Sequence, residues 1–252
     1  MIDDRPHDVT AVLVHGGFLG PWIWDDVVKA LGEEGIPAVC PDLPSCRETG
    51  RLADLHDDAR AVRSALDGLR DVVLCGHSYA GLVISEAAAG PHRAVRHLVF
   101  LAAAIPDVGD SLTSLAEAGS PNSGADPEEL GGEDVEIRAD GRLVMRPDSA
   151  RAALFHDCAA DRADAAIALL RPQAPLTGTQ PVTGAAWRDI PSTYVRGGYD
   201  RLPYEPVARA FKEHAAELVS LPTGHCPQWS RPDLVAHLLI AAIGKIRSSP
   251  SG

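Results

Sequence analysis

Lysine is almost missing from this chain of 252 residues: Lys29, Lys212 and Lys245 are the only three, and the rest of the basic charge is arginine. Acidic groups outnumber basic ones, 35 to 23, for a net charge of −12 with neutral histidines. A surface of that sign repels phosphate backbones and anionic bilayers, so neither nucleic acid nor membrane is an expected partner. No apolar run approaches the roughly 18 residues needed to span a bilayer. The longest, Leu98 to Ile105, suits a buried strand. The opening MIDDRPHDVT lacks a basic region followed by an apolar one, so a secretory signal is not expected. The five cysteines (Cys40, Cys46, Cys75, Cys158, Cys226) are odd in number and contain no CxxC pair, which points to free thiols in a reducing cytoplasm. There is no HExxH, no clustered Cys/His set and no glycine-rich phosphate loop ending in Lys-Ser, so neither a metal nor another cofactor is called for.

What remains is an ordinary globular composition, 45% hydrophobic and 23% charged, with no internal repeat. The first half alternates short apolar runs with amphipathic stretches. Strands are expected at Val9–Val14, Ala38–Leu43, Val72–Cys75 and Val95–Ala103, and helices at 22–34 and from the elbow after Cys75 to about Ala89. Between them, Leu52, Leu55, Ala59, Val62, Leu66 and Leu69 step by three or four and mark another helix. Continuous apolar strands separated by helices indicate an α/β fold, a mostly parallel sheet of about six strands with helices on both sides. The pattern breaks over residues 107–187, which read as an inserted cap between core segments 1–106 and 188–252. In the cap, the loose stretch 119–127 precedes a hairpin over Val135–Met145, with Asp140-Gly141 as a type I′ turn, and two short helices at 149–158 and 162–170. The sheet resumes with strands Ser192–Arg196 and Glu217–Leu221 around a helix at Glu205–Ala215. Ser230-Arg-Pro-Asp then reads as a capping box opening the last helix.

The strongest chemical signal is Gly76-His77-Ser78-Tyr79-Ala80-Gly81, directly after a strand and opening a helix. A serine hydroxyl is a poor nucleophile until a base takes its proton. A sharp strand-to-helix turn lifts the Oγ out of the sheet and demands small neighbours, which Gly76 and Ala80 supply. The Tyr79 N–H, at the helix N-terminus, is a donor for a developing oxyanion. His15-Gly16-Gly17-Phe18, at the end of the first strand, can aim the Gly17 N–H at the same oxygen. Thr223-Gly224-His225-Cys226-Pro227 follows the last strand, at the sheet edge where sites gather, and His225 is the expected base. The orienting acid is Asp200, after the fifth strand; Asp107, after the fourth, is the rival and reads better as a cap hinge, and Glu205 falls inside a helix. Phe18, Tyr79, Trp187 and Trp229, with the cap, are candidates for the substrate pocket, while Trp24 belongs to a helix's core face.

Leu13-Val-His-Gly-Gly, Pro21-Trp-Ile-Trp, Gly-His-Ser-Tyr-Ala-Gly, Asp200-Arg and Gly224-His-Cys-Pro-Gln-Trp-Ser-Arg-Pro-Asp together resemble the α/β-hydrolase superfamily. The chain is most similar to its compact branch of plant methylesterases, hydroxynitrile lyases and bacterial esterases, over nearly all its length except the cap. That resemblance implies Ser78 as nucleophile, His225 as base, Asp200 as acid, Gly17 and Tyr79 as oxyanion donors, and a small ester-like substrate. Ala80 departs from the family's commoner glycine. Three other readings remain. The same triad would serve a thioesterase, lactonase or cyclase of a biosynthetic pathway. Carbon–carbon lysis is disfavoured because the family's lyases place a lysine beside the catalytic histidine, where this chain has Cys226. A non-enzymatic ligand receptor would usually have lost a triad member, and none is missing.

Overall fold

The computed structural model describes residues 9–90, 92–119, 133–202 and 217–248. Its centre is a six-stranded sheet of β1 (Thr10–Val14), β2 (Ala38–Val39), β3 (Val72–His77), β4 (Val95–Leu101), β7 (Ser192–Gly197) and β8 (Glu217–Leu221). The spatial order is β2-β1-β3-β4-β7-β8 and every pairing is parallel. The inner strands β1 and β3 are buried along their whole length, and β4 from Leu98 on, because both faces of the sheet are covered there. Val12, Val14, Val72, Leu74, Leu98 and Phe100 face one core, with α2 (Leu55–Leu66) and α3 (Ala80–Ala88). The alternate residues Ala11, Leu13, Val73, Cys75, Val99 and Leu101 face a second core, with α1 (Asp25–Glu33) and the C-terminal helix Pro232–Ser248. No helix among the described residues is long and apolar enough to cross a membrane.

Four local expectations are corrected. The second strand stops at Val39 instead of Leu43, because Pro41 carries no N–H to continue the ladder. Leu52 lies outside α2 and is exposed: Asp54 accepts the Asp57 N–H at 2.9 Å while Asp57 accepts the Asp54 N–H at 3.1 Å, so the helix starts at Leu55. In the hairpin of β5 (Val135–Ile137) and β6 (Leu143–Met145) only Gly141 has a positive φ, +84°, and its N–H donates to the Arg138 carbonyl at 2.9 Å. With Arg138 N–H bonded to Arg142 O at 2.8 Å, the loop is a three-residue one closed by a left-handed glycine, not a two-residue type I′ turn. The capping box at Ser230 is also absent. Ser230 ends a one-turn helix, Pro227–Ser230, its buried hydroxyl has no partner, and Asp233 is held instead by Arg231. The expected helix at Glu205–Ala215 and most of the 119–127 stretch lie outside the described residues.

Between β4 and β7 the chain leaves the sheet for α4 (Leu112–Gly119), the hairpin, α5 (Pro147–Ala153), α6 (Ala160–Ile167) and α7 (Leu176–Thr179). Asp107 and Arg188, near the two ends of this excursion, are ion-paired, with Arg188 Nε at 3.0 Å from the Asp107 carboxylate.

Two buried features at strand ends constrain substitution. A Cβ on Gly81 would sit 1.8 Å from the Ala104 carbonyl oxygen, so α3 can lie against the chain leaving β4 only with glycine there; Gly32, exposed on α1, has open space around it. His15, fully buried after β1, donates from Nδ1 to the Gly16 carbonyl at 3.0 Å and accepts the Leu43 N–H on Nε2 at 3.2 Å. That pairing requires a neutral ring, and burial lowers its pKa to about 4.

Gly81→Ala will cost about 2–3 kcal/mol in denaturant unfolding, whereas Gly32→Ala will gain about 0.5–1 kcal/mol. Equal effects would sink the packing argument. Because the folded-state pKa of His15 lies below its unfolded one, its contribution is present above pH 6.5 and is lost as pH falls towards 4. Between pH 7 and 4 the wild type should therefore lose about 3 kcal/mol more stability than His15→Gln, which keeps an acceptor but cannot titrate. Parallel pH profiles for the two proteins would refute this.

Candidate active site

Ser78 lies between the end of β3 and the start of α3 with φ at +55°, a conformation that non-glycine residues avoid. The surroundings over-determine it. Its N–H donates to the Leu101 carbonyl at 3.2 Å, and its own carbonyl accepts Gly81 N–H at 3.0 Å and Ala104 N–H at 3.3 Å. A Cβ on Gly76 would meet the Ala80 carbonyl oxygen at 2.7 Å, the crowding that the turn's small residues relieve.

His225 is fully buried on the loop that follows β8. Its Nε2 is 2.9 Å from Ser78 Oγ, and its Nδ1 is 2.9 and 3.1 Å from the two carboxylate oxygens of Asp200. A carboxylate can only accept, so Nδ1 carries the proton and Nε2 presents its lone pair to the serine hydroxyl. The loop approaches because position 197 is glycine: a Cβ there would lie 2.3 Å from the Gly224 carbonyl oxygen. Backbone bonds then zip the ends of β7 and β8 together, Gly198 N–H to Leu221 O at 2.7 Å and Tyr199 N–H to Thr223 O at 2.9 Å.

Gly16 brings the other arm close. A Cβ at that position would stand 3.0 Å from Ser78 Cβ, so the Gly16-Gly17 turn rests directly on the elbow. Neither the Gly17 nor the Tyr79 backbone N–H has an acceptor among the described residues. Asp107, the rival acid, is at the cap's edge on Arg188, far along the chain from Asp200 and outside this hydrogen-bond chain.

The aromatic candidates go to different places. Phe18 is half-buried beside Gly17, with φ at +60°. The Tyr79 ring turns inward, and Trp187 packs in the α2–α3 core with its Nε1 donating to the Pro106 carbonyl at 2.6 Å. Trp229 stands edge-on to Trp22 with ring centroids 5.3 Å apart, under the Arg162 guanidinium, and bonds the Arg162 carbonyl at 3.0 Å.

Several supporting residues were not singled out from the sequence. His77 donates from Nε2 to the His225 carbonyl at 2.8 Å, and Asp157, from the inserted segment, accepts the Gly224 N–H at 2.6 Å. Asp58 is fully buried on α2 and accepts Tyr79 OH at 2.9 Å, Ser45 OH at 2.5 Å and Ser45 N–H at 2.9 Å. A signal for it existed: Asp58 falls three residues after Leu55 and four before Val62, on the apolar stripe of α2. Burial pushes its carboxyl up to about 6 against the pull of those donors, and raises the Tyr79 hydroxyl well above its usual value. Burial likewise holds His77 neutral and raises all five thiols, Cys40, Cys46 and Cys158 to about 12. Thiolate chemistry is thereby disfavoured, Cys226 beside His225 included.

Comparison with known proteins gives the family. The Alpha/beta hydrolase family matches residues 11–238. The alpha/beta hydrolase nvfD of Aspergillus novofumigatus is 32% identical over 251 residues, covering 93% of this chain and 96% of the relative. A carbendazim hydrolyzing esterase from Nocardioides sp. is 29% identical over 243 residues, covering 92% and 98%. The crystal structure of a pyrethroid hydrolase from Sphingobium faniae superposes with a TM-score of 0.78 at 25% identity, over 96% of this chain and 98% of that one. The fold, the motifs and these relatives agree: this chain belongs to the alpha/beta hydrolase family.

Proposed function

We propose that the protein is a serine esterase that cleaves a small carboxylic ester through an acyl-enzyme on Ser78. The observation that carries the reading is the unbroken chain Asp200–His225–Ser78, with 2.9 Å at each step. His225 takes the Ser78 proton as Oγ attacks the carbonyl carbon, and Asp200 fixes the tautomer and stabilises the imidazolium. The Gly17 and Tyr79 N–H groups receive the negative charge of the tetrahedral intermediate. The imidazolium then protonates the departing alcohol, and water, activated by the same ring, releases the acid. No cofactor enters this sequence.

Phe18, half-buried beside Gly17, lines the substrate pocket in this reading. The small-molecule class rests on the relatives, whose names give hydrolysis of carbendazim and of pyrethroids. Cys226, with its thiol held protonated by burial, offers no cation beside His225 for carbon–carbon lysis. Free solution in the cytoplasm is the location consistent with unpaired thiols.

A fluorophosphonate probe will label the wild type and leave Ser78→Ala unlabelled; labelling that survives in the alanine variant ends the nucleophile assignment. On short-chain aryl esters, Asp200→Asn should lower kcat by about three to four orders of magnitude, while Asp107→Asn stays within about twofold of wild type. The reverse pattern would transfer the acid's role to Asp107.

A further inference from the structure

Besides Asp157, the inserted segment reaches the site through one short stretch, Arg171–Ala174, which bonds the turn after β1 that rests on Ser78. The Arg171 N–H donates to the Phe18 carbonyl at 2.8 Å, and the Phe18 N–H donates to Gln173 Oε1 at 3.1 Å. Gln173 also exchanges two backbone bonds of 2.8 Å with Leu143 on the hairpin, and the Ala174 N–H donates to the Ser45 carbonyl at 2.9 Å. Phe18 is thus held on both its N–H and its carbonyl by the same strap, in a left-handed conformation that side chains rarely adopt.

The Gln173 side chain is 5% exposed and its orientation is fixed chemically. Phe18 N–H can only donate, so it faces Oε1. Thr177 OH donates to the Ala174 carbonyl at 2.7 Å, so it accepts from Gln173 Nε2 at 2.8 Å. The result is a one-directional chain from Phe18 through Gln173 and Thr177 to a backbone carbonyl, and it leaves one assignment of the amide. A Cβ on Gly17 would lie 2.2 Å from Gln173 Oε1, so the amide sits directly against the oxyanion turn.

We propose that Gln173 is a positioning residue for the oxyanion turn: by binding the Phe18 N–H it fixes the Gly17–Phe18 peptide and leaves the Gly17 N–H for the substrate's oxygen. The inference rests on the reading of Gly17 as an oxyanion donor to an ester attacked by Ser78. Its consequence is that the inserted segment does more than cover the site, since it sets the geometry of one of the two donors. Gln173 does not touch the substrate oxygen in this arrangement and acts only through the turn.

The test uses the full-length protein, p-nitrophenyl acetate and an aryl boronic acid, which forms a tetrahedral adduct on a reactive serine. Gln173→Met fills the same space without an acceptor. It should lower kcat by about 10–100-fold, the loss that a misplaced catalytic group produces. KM should stay within about threefold, and the boronate inhibition constant should rise by the same factor as kcat/KM falls. Thr177→Val keeps Gln173 but frees its Nε2, and should change kcat and boronate affinity in the same sense by about 3–10-fold. It also serves if the methionine variant does not fold. A purely structural role would lower the unfolding midpoint and leave kcat and boronate affinity of the folded variants at wild-type values, and that result overturns the proposal. If the wild type is neither inhibited by the boronate nor labelled at Ser78, the esterase reading itself fails and takes this inference with it. Normal wild-type inhibition with unaffected variants refutes the inference alone.

Discussion

A buried imidazole can act as a base towards serine only if one nitrogen is committed as a donor and the other is left with a lone pair. In this chain that commitment is the hydrogen bond from His225 Nδ1 to Asp200, and most of the surrounding architecture follows from keeping it aligned with Ser78. The ring has no exposure, so water does not compete for either nitrogen. Its backbone is tied from the strand that leads into Ser78 by His77 and from the inserted segment by Asp157, through the neighbouring Gly224. The close approach that these bonds demand explains the glycines at 197 and 224. Any Cβ at the first would strike the Gly224 carbonyl, and one at the second would come within 2.6 Å of the Asp157 carboxylate.

The inserted segment therefore has two handholds on the site, one on each arm. Asp157 holds the histidine loop, and the Arg171–Ala174 strap holds the Gly17–Phe18 turn. The strap's bond to Ser45 continues through Asp58 to the Tyr79 hydroxyl. Tyr79 and the turn after β1 are thus referenced to the same piece of chain. Preorganised dipoles stabilise a developing oxyanion because they need no reorganisation when the charge appears. A shared anchor for the two turns is what the proposed oxyanion roles of Gly17 and Tyr79 call for.

Period and punctuation made much of this readable in advance. Doubly covered parallel strands announce themselves as apolar runs, and β1, β3 and β4 were visible on that ground, while β7 and the edge strand β8 carry polar residues and showed only as the sheet pattern resuming. The elbow and the histidine loop were visible because glycine and small residues flank them at fixed offsets. The losses have physical causes of their own. Pro41 cuts β2 inside a run whose side chains are otherwise those of a strand. Asp54 rather than Leu52 sets where α2 begins, because a reciprocal cap satisfies two backbone donors and an apolar side chain none. The hairpin's Asp-Gly pair suits two loop lengths, and only the Arg138–Arg142 pairing decides between them. Gln173 and Asp157 were illegible for another reason. Each acts across more than 60 residues of chain, on a backbone N–H that leaves no mark on the amino-acid pattern.

Strain points to the same rim of the sheet. Among the described residues the non-glycine positions with positive φ are Phe18, Ser78 and Ala102, which follow the C-terminal ends of the neighbouring strands β1, β3 and β4. Each is locked by long-range backbone bonds: Phe18 to Arg171, Ser78 to Leu101, and Ala102 N–H to Val195 O at 2.7 Å. A left-handed alanine or phenylalanine costs on the order of 1 kcal/mol or more, and a chain free to relax would remove it. The sheet prevents relaxation because parallel pairing fixes where each strand ends. The chain then bends directly after β3 and β4, at Ser78 and Ala102, and four residues after β1, at Phe18. The strain is the consequence of bringing three strand ends to one hydroxyl, and it falls on those three residues because the strands before them cannot move.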